Sequence, residues 1–324
     1  MKHAVLIIAH KNKDQLKRLV KAVSDENTDV FIHPDANWLL TGEDMKEIEQ
    51  SGKNNVIILK RRIHGVFHDW SLTKIQLLLI KEALKEEKKR RYRYSYFMLL
   101  SGQDYPIKSR AYFEEFLSAQ YPKPLIDVEG YQGPSWEQYL FPTDERYGNH
   151  LDKIKNKYSG LKRKILTVAT VIYHKMHFWY KGDTVLEKLS NKNIKIYSGS
   201  QWWILPHDIV EYVLKYSKKR NYAAVLLKSG TTPEEYYFQT VINNSPWAKE
   251  ILSHDETYDK DDNAQPCMTY ANFVTPTKKF VGHPHIITME DFDRIMAKKA
   301  LFARKFDLTV DSAVMDEIDK ITGR

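Results

Sequence analysis

Residues 4–35 read AVLIIAHKNKDQLKRLVKAVSDENTDVFIHPD, and the order of residue types in this stretch decides the fold. The apolar run at 4–8 is too short for a helix and reads as a buried strand; DVFIHPD at 29–35 reads as a second, ending at Asp35. Between them 13–23 is amphipathic at helical spacing, so the segment is strand, helix, strand. Working outward, VIILKRR at 56–62 predicts a third strand, and SLTKIQLLLIKEALKEE at 71–87 a helix with Ser71 available as its N-cap. A continuous apolar strand follows at 96–100, broken by Ser-Gly and Tyr-Pro. Alternating strands and helices imply an α/β fold with a largely parallel sheet. Ligands in such sheets sit beyond the carboxyl ends of the strands. His10, Asp35, residues 61–64 and residues 101–104 all fall at such ends, and are expected to line one nucleotide-sized crevice.

Past residue 110 the pattern loosens. RAYFEEFLSAQ predicts a helix, 131–152 is polar and aromatic, and 153–188 is a basic helical region. KIYSGSQWWILPHDIVEYVLKYS at 195–217 predicts a turn at 198–200, a strand at 202–205 and a helix at 208–217. In TTPEEYYFQTVINN, Thr232 and Pro233 open a helix with two carboxylates in its first turn, where negative charge is favourable. ITMEDFDRIMAKKALFARKFD reads as a helix capped at Thr288 that runs to a basic exit at Arg304 and Lys305. No Pro- or Gly-rich linker divides the chain, which predicts one domain, 1–324, with lobes at 1–125 and 126–324.

With 324 residues, 42% of them hydrophobic and only 13 Gly and 12 Pro, the chain can bury a sizeable core and is not of low complexity. Cys267 is the single cysteine, which excludes an intramolecular disulfide and a cysteine-based zinc site and favours a reducing, cytosolic setting. The net charge of +8 suits an anionic partner. The mixed-sign run at 85–93 reads as a solvated helix end. The cations and apolar residues of 153–181 could instead meet an anionic membrane surface, or pack on the core as an ordinary amphipathic helix. There is no GxxxxGK[ST], no GxGxxG and no HExxH; His64 and His68 stand four apart, but Gly65 and the following Asp-Trp argue against a helix there and so against a metal pair.

Five segments occur in an order that matches a known family: IHPD at 32–35, LLSGQDYPIKS at 99–109, GSQWWIL at 199–205, TPEEYYFQT at 232–240 and LFARKFD at 301–307. Over nearly its whole length the chain resembles the core-2/I-branching β-1,6-N-acetylglucosaminyltransferases (glycosyltransferase family 14), which also include peptide O-xylosyltransferases. The resemblance implies a GT-A-like fold, a Rossmann-like mixed sheet flanked by helices. It also implies an inverting transfer of a sugar from a UDP-sugar to a glycan hydroxyl, with N-acetylglucosamine the first expectation and xylose the nearest alternative. No cofactor and no metal is expected. A DxD beside the central strand is missing; Ser101-Gly102-Gln103-Asp104 stands there, while the DxD letters at 259–261 and 291–293 read as structural.

The resemblance also implies roles. Glu235 matches the family's catalytic base, with Glu234 as competitor and acceptor contact. Asp35, His10 and Lys11 match the nucleoside-binding strand ends, and Asp104 would shape the donor pocket. Lys305 would neutralise the leaving diphosphate, helped by Arg304 or by His283, which stands near where the family places an arginine. Lys278 and Lys279 are further available cations. Trp202 and Trp203 alternate faces on a strand, so one is expected in the core and the other against the acceptor; Trp70 matches a family tryptophan and equally suits the core. A bacterial-type enzyme of surface polysaccharide synthesis is expected, cytoplasmic or peripheral at the inner membrane face. Nucleic acid is not expected as a partner. A non-catalytic glycan- or nucleic-acid-binding protein is the competing reading.

Overall fold

The computed structural model describes residues 1–67, 69–130, 158–178, 193–219, 227–228, 232–251, 266–273 and 284–324. His68, the stretch at 131–152, the Asp259–Asp261 pair, Lys278, Lys279 and His283 lie outside the described residues.

Among the described residues the main sheet has six strands, in the order Val56–Ile58 (β3), Thr28–Pro34 (β2), His3–Ala9 (β1), Tyr96–Ser101 (β4), Trp203–Pro206 (β9) and Leu125–Ile126 (β6), and a separate ribbon pairs β7 (Glu129–Gly130) with β8 (Tyr197–Ser198). β1 (His3–Ala9) lies between β2 (Thr28–Pro34) and β4 (Tyr96–Ser101), and β3 (Val56–Ile58) flanks β2, all four parallel. β9 (Trp203–Pro206) pairs antiparallel to β4, and β6 (Leu125–Ile126) antiparallel to β9. This is the expected Rossmann-like mixed sheet. A second sheet carries β10 (Thr269–Ala271), β11 (Phe302–Arg304) and β5 (Asp104–Pro106), with β5 antiparallel to β11.

Strand alternation divides the core into two layers. Val5, Ile7, Ala9, Val30 and Ile32 face one apolar cluster, and Ala4, Leu6, Phe31, Phe97 and Leu99 face the other. Onto the first pack Leu16, Leu19 and Val20 of α1 (Lys13–Val23). α2 (Gly42–Gln50) adds Ile48 to the same layer. The opposite face is covered by Ile75, Leu78 and Leu79 of α3 (Trp70–Arg90). The remaining α-helices among the described residues are α4 (Arg110–Gln120), α5 (Gly160–Phe178), α6 (His207–Ser217), α7 (Tyr237–Asn243), α8 (Phe292–Met296) and α9 (Ala313–Thr322).

Local chemistry corrects several expectations. The third strand is only Val56–Ile58. α3 begins one residue earlier than predicted because Asp69, not Ser71, caps it, accepting from the Ser71 N–H at 2.5 Å; Ser71 Oγ instead accepts from the Val66 N–H at 2.7 Å. Pro233–Glu235 forms a 3₁₀ turn rather than the first turn of a longer helix, with Thr232 in the left-handed region (φ 47°) and making no cap. The capping box at Thr288 is present, but α8 ends at Met296 and Phe302–Arg304 is a strand. Its backbone pairs with β10 and β5, a contact helical periodicity could not reveal.

Candidate active site

Because β2, β1 and β4 are adjacent and in register, their ends bring Asp35, His10 and Ser101 to one edge. Asp35 is held by four contacts. Its oxygens accept the Asn37 and Gly65 N–H groups, both at 2.7 Å, and His64 Nδ1 lies 3.0 and 3.2 Å from them. Burial alone would raise this carboxyl; the backbone donors and the His64 ring outweigh it and keep Asp35 below its ordinary value. The loop that delivers Gly65 and His64 is itself fixed. The Ile63 N–H donates to Nε2 of fully buried His33 at 2.9 Å, and Arg62 donates to the carbonyls of Pro34, Asp35 and Trp38. Arg62 therefore serves the backbone and not the crevice. Burial pushes His33 down to about 4, consistent with a neutral ring that accepts.

Gln15, which the sequence did not single out, ties this edge together. Its side chain donates to the carbonyls of Gly102 and Phe306 at 3.0 and 2.8 Å and accepts from the Leu308 N–H at 3.0 Å. The 301–307 segment is thereby fastened to the ends of β1 and β4, nearly 300 residues away in sequence, and it carries the cations. Asp104 and Arg304 are register partners across β5 and β11. Asp104 is fully buried, accepts the Ser101 N–H and Oγ–H at 2.7 and 2.8 Å, and lies 3.3 Å from Arg304 Nε. It reaches the crevice through Arg304 and not directly. Burial raises the Asp104 carboxyl against the pull of Arg304 and the Ser101 donors.

The Arg304 guanidinium stacks 4.0 Å above the Trp202 ring. Lys11 is paired with Asp307 at 2.8 Å. Of these three cations, the Lys305 ammonium alone makes no direct hydrogen bond or ion pair among the described residues; the Lys305 carbonyl accepts the Ile287 N–H at 2.7 Å. Burial, and then Arg304 and Lys11, lower its pKa. His10 is lowered as well, by burial and by Lys11 and Lys305, against Asp35. A half-buried cation pushed down by neighbouring cations is a place where a bound anion gains most.

On the other wall, Glu234 is 1% exposed and neither of its oxygens has a hydrogen-bond partner among the described residues. Burial, with Glu235 and Asp69 adding to it, pushes it up to about 8; burial alone pushes half-buried Glu235 up to about 7. The Glu235 carbonyl accepts the Gly199 N–H at 2.8 Å, and the Ser200 N–H donates to Asp127 at 3.0 Å. Gly199 is required there: a Cβ would stand 2.1 Å from the Asp127 carbonyl oxygen. Three residues on, Trp202 lies under Arg304, so residues 199–202 connect the carboxylate wall to the cation wall. Trp203 is the core member of the pair, 1% exposed, stacked on Phe238 at 5.1 Å and donating to Gln76 at 3.1 Å. It has no face left for a sugar. Trp202, 7% exposed and covered by Arg304, is a platform for the cation. Trp70 packs edge-on against Tyr237.

Among the described residues one grouping has metal-like spacing, His207, Asp208 and Glu211, and it lies at the opposite edge of the sheet, where Asp208 pairs with Arg93. The single thiol, Cys267, is fully buried and pushed up to about 12 by that burial, so it is inert.

Fold and site together define an α/β protein with cations clustered at the C-terminal edge of a mixed sheet, joined through residues 199–202 to a turn that carries buried Glu234 and half-buried Glu235. The chain belongs to the Core-2/I-Branching enzyme family, whose model matches residues 4–296. It is 24% identical over 326 residues to Xylosyltransferase 2 of Rattus norvegicus, covering 97% of this chain and 33% of that protein. Xylosyltransferase oxt of Drosophila pseudoobscura pseudoobscura is 23% identical over 313 residues, covering 94% of this chain and 31% of its own length. The chain thus spans about a third of the length of the curated relatives it matches. Among solved structures, core-mannan synthase A from Aspergillus fumigatus in its Mn/GDP form is 11% identical, with a TM-score of 0.33 over 86% of this chain and 81% of that one. A score that low adds no weight to the fold, which rests on the sheet itself.

Proposed function

We propose that the chain is a glycosyltransferase that moves a sugar from a UDP-sugar to a hydroxyl of a glycan, by inversion and without a metal. The observation that carries this is the connection of the two walls: Gly199 holds Glu235 while Trp202, three residues on, supports Arg304 beside Lys305. In the reaction, the acceptor hydroxyl gives its proton to Glu235 as its oxygen bonds to the anomeric carbon. The bond to UDP breaks on the opposite face, and the charge left on the diphosphate is met by Lys305 and Arg304. Asp35 and His10 hold the nucleoside. Family membership supports this reading, and N-acetylglucosamine is the donor it first suggests; the relatives named xylosyltransferases favour xylose as the second. A cytoplasmic role in surface polysaccharide synthesis is part of the same proposal.

Glu235 is the better base of the pair. Two carboxyls in one dry site do not both ionise readily, and the proton stays on the deeper one. Glu234 keeps it and Glu235 loses it first. Glu235→Gln is expected to cut transfer and UDP-sugar hydrolysis by about 10²- to 10⁴-fold while UDP still binds. Undiminished turnover in that variant would sink the assignment, and the absence of any turnover in the parent would favour a binding protein.

A further inference from the structure

The apolar face of α5 points away from the protein. Leu161, Ile165, Val168 and Ile172 are 73%, 58%, 56% and 51% exposed. At about 100° per residue the four fall within roughly 60° of arc, one stripe about 16 Å long. Leu166, Thr167 and Thr170 are half-buried on the opposite side, where only Arg163 in the first turn is exposed. A helix that packs on a core shows the reverse, with its apolar stripe inward. Exposed Lys162 and Lys164 flank the stripe at about 80° on either side. No Asp or Glu occurs from 158 to 178.

We propose that this face lies on an anionic lipid surface, independently of the reaction proposed above. The four aliphatic side chains would enter the boundary between headgroups and acyl chains, and Lys162 and Lys164 would extend to lipid phosphates. No described helix is long and apolar enough to cross a membrane. Charge selects this occupant over a second copy of the chain. Two copies packed stripe to stripe would bring the cations of two acid-free helices together unpaired, whereas an anionic bilayer neutralises them.

The test is flotation of the full chain with phosphatidylcholine vesicles, with and without phosphatidylglycerol, at low and high salt. The parent should float with the phosphatidylglycerol vesicles only and be released by salt. Replacing Leu161, Ile165, Val168 and Ile172 together by Ser, or Lys162 and Lys164 by Glu, should each lower partitioning at least about tenfold. Circular dichroism and UDP affinity should be unchanged, since the substituted side chains are exposed and make no part of the site described above. A parent that stays at the bottom of the gradient overturns the proposal, as does a serine variant that floats equally well. Light scattering that finds a dimer broken by the serine substitutions, with no flotation, assigns the face to self-association instead.

Discussion

At the scale of single residues, the site depends on where burial places protons. The Glu234 carboxyl ordinarily titrates at 4.5 and in the fold at about 8, so its neutral form is the one the fold accommodates. A carboxyl pKa raised by folding contributes stability that is complete below the unfolded value and is lost as pH rises through the folded one. Glu234→Gln cannot ionise and escapes that loss. It should be more stable than the parent above about pH 8, by on the order of 1–3 kcal/mol, and gain nothing near pH 4. Urea melts at the two pH values check this; an equal gain at both would mean that the residue acts through packing alone. The same residues show what reading along the chain could reach. Thr-Pro-Glu-Glu marks the place, because Pro and acidic residues open helices, yet it cannot say which carboxyl is enclosed. That depends on α3 and α7, which bring Trp70 and Tyr237 against the turn.

At the scale of elements, the segment at 199–202 joins the Glu235 turn to the Arg304 stack, and its geometry rests on one missing methyl. Gly199→Ala would drive Cβ into a backbone oxygen, which cannot yield as a flexible side chain does. The expected cost is about 1–3 kcal/mol of stability, with a larger fractional loss of kcat than of UDP affinity, because the shift is transmitted through the Gly199–Glu235 hydrogen bond. Steady-state kinetics beside a UDP titration separate the two; equal losses would mean that this segment serves donor binding instead. The long helices and the strands of the first hundred residues were legible because their periodicity is sustained. Short elements were legible only in part: the strand expected at 202–205 is found at Trp203–Pro206, but the one at Phe302–Arg304 was not foreseen. Phe302–Arg304 looks helical in a stretch of good helix formers, and becomes a strand only because β10 and β5 offer backbone partners on both sides.

At the scale of the whole molecule, a crevice that keeps Lys11, Arg304, Lys305 and His10 together is poised for an anion. UDP should therefore raise the melting temperature, by an amount set by its concentration over Kd, with EDTA and manganese making no difference if the cations alone hold the diphosphate. Stabilisation that requires manganese would revise the charge balance proposed for the leaving group, and silence toward every nucleotide sugar would remove the donor assignment. What the sequence determined by itself was the α/β class, the strand ends at His10, Asp35 and Ser101, and the chemical types at hand, because apolar runs and turn residues act over a few positions. Tertiary structure alone decided which of those groups meet. Gln15 fastens residue 306 to residue 102, Arg304 finds Asp104 across two strands, Trp203 enters the core while Trp202 carries a cation, and the apolar stripe of α5 turns outward. The physical reason is that burial and charge pairing are properties of neighbours in space, and those neighbours lie up to 300 residues apart along the chain.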